Sequence, residues 1–151
     1  MTFEEILARE GKLVYRTKGT SMEPMLRQNR DLITVEVPSA RLARFDVALY
    51  KRGDSNVLHR VIRVKDGCYL IRGDNTFSLE EIPFERVFGV LTAFVRKGKH
   101  HSVTEKGYRV YVRFWNAIYP LRWLWQRIRR GLIRLMKKLG ILPFIKRMLH
   151  R

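Results

Sequence analysis

The sequence predicts a mainly β domain with a short N-terminal helix and basic amphipathic helices at the C-terminus. Six runs carry the β reading: "KLVYRT", "DLITVEV", "FDVALYK", "VLHRVIRV", "CYLIRG" and "VFGVLTAFV". Each is of strand length and either apolar or alternating. Turn chemistry in "VPSA", "KRGDSN" and "KDG" separates most of them. Short strands with little helix between them imply a compact, mostly antiparallel β domain. Charge carries the helical reading of the C-terminus. Residues 1–106 hold 19 Lys and Arg against all 14 Asp and Glu, a net +5, whereas residues 107–151 hold 12 Lys and Arg and no acid. The chain is therefore divided at 106/107 into a β domain and a basic extension.

Along the chain, residues 2–9 read as a helix, with Thr2 as N-cap and Glu5 three positions on as its capping-box partner. The six runs follow Gly11. "YRVYVRFW", from Tyr108, reads as a last strand. From Leu121 the period becomes helical. At 100° per residue, Leu121, Leu124, Trp125, Leu132, Leu135 and Leu139 fall within about 60° of Ile128. Arg129, Arg130, Arg134, Lys137 and Lys138 occupy the remaining arc, and Trp123 and Ile133 are apolar residues on that basic side. Gly140 reads as the stop, and Pro143 opens a second short basic helix, "PFIKRMLHR".

Composition excludes several classes. At 151 residues and 46% hydrophobic, the chain can bury a real core, so wholesale disorder is excluded. The lone Cys68 excludes an internal disulfide framework and a cysteine-rich metal site, and reads as a small buried apolar residue. No metal or other cofactor is expected. "MTFEEILARE" is acidic and has no apolar core of a secretory signal. No uncharged apolar run approaches the roughly 18 residues of a spanning helix.

Three residues carry candidate chemistry. In "GTSMEP", Ser21 lies between Gly19 and a Pro24 that fixes the backbone. It is either a turn serine or a nucleophile on a tightly held turn. In "VLHRVI", alternation puts His59 on one face with Val57 and Val61, opposite Leu58, Arg60 and Ile62. It is either a satisfied strand histidine or a base for a serine hydroxyl. In "IRGDN", Asp74 is either an Asx-turn residue or a carboxylate that orients a histidine.

In order along the chain, "GTSMEPML", "RDLITV", "FDVALY", "LHRVI", "IRGDN" and "VFGVLTAF" resemble the catalytic domain of the signal peptidase I and LexA-type serine peptidase superfamily. They span about residues 13–95. The resemblance implies a coiled antiparallel β fold with Ser21 as nucleophile. The residue before Arg-Val is the base, here His59, which places the chain with the Ser-His subtype of the endoplasmic reticulum and archaea rather than the Ser-Lys type. Lys51 and Lys65 do not fit the register of a catalytic lysine. The acid is open: Asp74 ranks first and Glu80, in "NTFSLEEI", second. Gly19, Met22 and Pro24 are implied at the substrate site, and the nucleophile's own N–H at the oxyanion. Substrate binds as an added strand.

Ordinary members hold the serine beyond a membrane span, and LexA-type members carry a DNA-binding domain. Only 20 residues precede Ser21, among them Glu4, Glu5, Arg9 and Glu10, so a minimal catalytic domain is expected. The partners expected are a peptide or protein substrate and an anionic membrane surface bound through residues 121–150, with packing of the tail onto the β domain as the alternative. Nucleic acid is the weakest candidate, because "RWLWQRIRRGLIRLM" offers an aliphatic stripe rather than interleaved stacking platforms. The positive charge of the tail points to the cytoplasmic face of the membrane, in peripheral association. A non-catalytic peptide-binding module is the competing function.

Overall fold

In the computed structural model, which describes residues 1–138, the chain divides into two compact units, Met1–Val112 and Arg113–Arg151. The first is mainly β. Helix α1 (Phe3–Glu10) starts at a complete capping box. The Thr2 hydroxyl accepts from the Glu5 N–H, and the Glu5 carboxylate accepts from the Thr2 N–H. It ends where the Gly11 N–H donates to the Leu7 carbonyl.

Eight strands follow: β1 (Lys12–Arg16), β2 (Leu32–Glu36), β3 (Val47–Arg52), β4 (Ser55–Lys65), β5 (Cys68–Arg72), β6 (Glu80–Pro83), β7 (Val87–Arg96) and β8 (Lys99–Ser102). Every pairing is antiparallel, in the order β1-β2-β7-β3-β4-β5-β6, with β8 beside β7. The long β7 pairs with β3 through Val87–Val90 and then with β2 and β8 over its later residues. Bulges bend the sheet where β7 carries an extra residue against β3 (Phe88) and against β2 (Thr92), and where β4 carries one against β5 (Ile62).

Two clusters fill the two faces. Leu7, Met22, Met25, Leu26, Ile33, Val47, Leu49 and Leu91 make the first. Ala48, Tyr50, Val61, Tyr69 and Ile71 make the second. The sequence alternation of β3 and β4 explains the split. Val47, Leu49 and Leu58 pack toward the first cluster, and Ala48, Tyr50, Val57 and Val61 toward the second.

Three expectations are corrected. Residues of "YRVYVRFW" form helix rather than strand, within α2 (Lys106–Ala117). Tyr108 and Tyr111 pack against the first core cluster and Val112 is buried, a spacing of three and four that only a helix puts on one face. Strands β6 and β8 are additional: "EEIP" and "KHHS" carry too few apolar residues to announce themselves. Cys68 is half-buried rather than buried.

The described part of the second unit comprises the end of α2, from Arg113, and helix α3 (Tyr119–Lys138). Leu121, Leu124, Trp125, Ile128, Leu132 and Leu135 are all exposed on it. Leu139, Gly140 and the helix expected from Pro143 lie outside the described residues. No helix among the described residues is long and apolar enough to cross a membrane.

Candidate functional site

A groove of about 1000 Å³ opens between β1, the loop after it and the first half of β4. Ser21 and His59 both line it, with Gly19, Met22, Asn75 and Glu80. β1 is the end of the sheet path, so one of its edges has no strand. β4 pairs with β3 from Ser55 to Arg60, but with β5 only from Arg60 onward. The backbone of Ser55–His59 therefore also has one side free of strand pairing. Two open edges flank one groove.

The loop carrying Ser21 is cinched by its own polar groups. Thr17 N–H donates to the Asp31 carbonyl at 3.2 Å, and Asn29 N–H donates to the Thr17 carbonyl at 2.9 Å. Asp31, fully buried, accepts from the Arg27 N–H at 2.8 Å and from the Arg30 guanidinium at 2.6 and 2.9 Å. Burial alone would push the Asp31 carboxyl up, but these donors outweigh it and hold it below the usual range. Gly19 takes φ +81°, which a side chain there would strain.

The Gly-Asp-Asn turn at the end of β5 then holds this loop. Asn75 N–H donates to the Ser21 carbonyl at 2.7 Å, and the Asn75 side-chain amide donates to the Thr20 carbonyl at 3.2 Å. Gly73 leaves no room for a side chain. A Cβ there would stand 2.6 Å from the Ser21 carbonyl oxygen and 3.1 Å from both Cδ2 and Nε2 of His59. The Ser21 backbone and the His59 Nε2 edge thus converge on one point.

Asp74, ranked first as the acid, pairs with Arg60, and its charge also acts on His59. Its two oxygens accept from Nε and Nη2 of Arg60, each at 2.7 Å. Arg60 is fully buried, and its remaining donors meet the Phe45 carbonyl, the Tyr108 hydroxyl and Met25 Sδ. Burial opposes the charge on Arg60, but Asp74 outweighs it and keeps the guanidinium protonated. The physical reason is parity. Arg60 follows His59 on β4, so the two side chains leave opposite faces, and the buried guanidinium demands the carboxylate.

His59 is 4% exposed, and its Nδ1 meets two groups. The Tyr50 hydroxyl is 3.1 Å away and Glu80 Oε1 is 3.4 Å away. The same hydroxyl donates to Glu80 Oε2 at 3.0 Å, and Arg52 Nη1 donates to Oε1 at 3.1 Å. Burial pushes the His59 imidazole below its ordinary 6.5, Glu80 works against that, and Arg52 adds to the lowering. Glu80, second in the sequence ranking, is the carboxylate beside Nδ1. Tyr50 was missed. The hairpin turn at Gly53-Asp54 pairs Arg52 with Ser55, and therefore Ala48 with His59, which leaves Tyr50 diagonal to His59 on the same face. That register was the available signal.

Of the implied substrate residues, Gly19 and Met22 line the groove, Met22 mostly buried in the first core cluster, while Pro24 is not among the lining residues. Lys51 and Lys65 also lie outside the lining and pair with Glu4 and Glu81. No group of three His, Cys, Asp or Glu suited to a metal occurs among the described residues. No protein-family model matches the chain, and no curated protein matches it.

Proposed function

We propose that the chain is a serine endopeptidase of the signal-peptidase type, with Ser21 as nucleophile and His59 as general base. The observation that supports it best is that the Ser21 backbone and His59 Nε2 converge on Gly73, while Ser21 and His59 both line a groove with open strand edges. A peptide enters extended and adds its backbone hydrogen bonds to a free edge. Nε2 takes the Ser21 hydroxyl proton as Oγ bonds to the scissile carbonyl carbon. The C–N bond then breaks, the leaving amine takes the proton from Nε2, and water hydrolyses the acyl-serine by the same route. The half-buried Ser21 and buried His59 suit such a step, because burial keeps the imidazole neutral.

The test is cleavage of a leader-type peptide by wild type beside Ser21→Ala and His59→Ala. Either variant loses several orders of magnitude, because the two groups act as a unit. Equal rates in all three would refute the assignment. Peptide binding without turnover in any form, surviving Ser21→Ala, would favour a non-catalytic peptide-binding module.

The exposed apolar face of α3 supports a second reading, of peripheral association with an anionic membrane at its cytoplasmic face. Trp125 and five aliphatic residues share that face, and the basic residues lie on the rest of the helix. Flotation of the full chain with anionic but not neutral vesicles checks this. Nucleic acid binding would instead show a steep salt dependence tied to the tail.

A further inference from the structure

We propose that Tyr50 is a positioning residue whose hydroxyl holds neutral His59 as the Nδ1–H tautomer, leaving Nε2 bare on the side of Ser21. The inference rests on the reading of His59 as base, but its signature is separable from turnover.

A tyrosine hydroxyl has one proton to give and lone pairs to accept with. Here that proton has an ionic acceptor, Glu80 Oε2, at 3.0 Å. Toward Nδ1, 3.1 Å away, the Tyr50 oxygen is then an acceptor only. A neutral imidazole facing an acceptor at Nδ1 carries its proton there, and Nε2 keeps its lone pair. Glu80 Oε1 at 3.4 Å is a longer second acceptor for the same proton. Arg52 engages Oε1, which biases Glu80 to use Oε2 for Tyr50. Tyr50 itself is fully buried, its ring edge-on to His59 with centroids 6.0 Å apart, so it cannot turn away to solvent.

The arrangement makes an unusual demand of Glu80. Its carboxylate does more than face the imidazolium formed when Nε2 gains the serine proton. It decides which way the Tyr50 hydroxyl points. Without it the hydroxyl proton has only Nδ1 to bind, His59 becomes the Nε2–H tautomer, and the base is blocked. Removing the hydroxyl as well relieves that block.

The experiment reads the ¹⁵N shifts of the His59 ring in the full chain above its pKa, with kcat and KM for a leader-type peptide. The result expected for wild type is Nδ1–H; an Nε2–H signal overturns the proposal without any variant. Tyr50→Phe lowers kcat about tenfold at unchanged KM, the worth of one neutral hydrogen bond. Glu80→Ala shifts the ring to Nε2–H and lowers kcat on the order of 10⁴-fold, as a wrong tautomer does. The double variant Tyr50→Phe with Glu80→Ala recovers part of that loss. A Glu80→Ala ring that stays Nδ1–H, or a double variant slower than Glu80→Ala, overturns the proposal. If Tyr50→Phe fails to fold, the Glu80→Ala spectrum still decides. Turnover that is untouched by Ser21→Ala would sink the peptidase reading alone, since the ¹⁵N shifts report on the Tyr50–Glu80 pair regardless.

Discussion

Gly73→Ala is the sharpest perturbation available, because the structure fixes its geometric consequence. The new Cβ would stand 2.6 Å from the Ser21 carbonyl oxygen, a distance that real Cβ contacts essentially never show. Ordinary contact begins near 3.4 Å, so relief requires a displacement of about 0.8 Å. Neither obstacle is a flexible side-chain tip. One is the backbone of Ser21, and the other is a buried imidazole ring at 3.1 Å. Overpacking of this kind destabilises by about 1–3 kcal/mol, which a folded domain tolerates. Function is less forgiving, since a 1 Å misplacement of reacting groups lowers rate about 10²-fold. The expected result is a folded protein with kcat/KM for a leader-type peptide reduced roughly 10- to 100-fold. Amide exchange at Asn75 gives a readout that needs no activity. Its N–H is held by the Ser21 carbonyl at 2.7 Å, and that protection falls as the turn is pushed off. A variant with wild-type turnover and wild-type Asn75 protection would refute the close approach as the reason for this glycine.

Three further predictions concern the neighbouring charges. Asp74→Ala lowers stability by about 3–5 kcal/mol in urea unfolding, because it strands the buried Arg60 guanidinium; a loss under 1 kcal/mol would mean the pair is not the structural tie described. Because His59 is held below its ordinary 6.5, it stays neutral under mild acid, and the acid limb of kcat/KM lies below pH 6.5. The unfolded chain protonates His59 first, so its contribution to stability is complete above 6.5 and is lost as pH falls through the lower folded pKa. Arg52→Ala removes a cation that adds to the lowering, so the acid limb moves up in pH; a downward move would contradict that electrostatic reading.

The strands legible in the sequence were those with apolar residues between strong turns, such as "FDVALYK" and "VLHRVI". Strand β8 was not, because "KHHS" lies at the sheet margin and has almost nothing to bury. "YRVYVRFW" misled because its apolar spacing satisfies both an alternating and a helical period, and only packing of Tyr108, Tyr111 and Val112 on the sheet selects the helix. At the candidate site, Ser21 and His59 stood out because each sits in a short local pattern. The partners of His59 did not, since Tyr50 and Glu80 reach it from β3 and β6, and that meeting is a property of the ladder rather than of neighbours in the chain. Asp74 attracted attention for its motif, but a motif does not reveal the face on which Arg60 waits.

The free edge of β1 also bears on how copies of this chain meet one another. An unpaired strand invites a second copy of itself, and an antiparallel match along Lys12–Arg16 would extend the sheet across two molecules. That match sets Lys12 against Arg16, and Arg16 against Lys12, like charge on like charge at both ends of five residues. The two basic residues therefore work as a gatekeeping pair that discourages two copies from closing into a dimer through this edge.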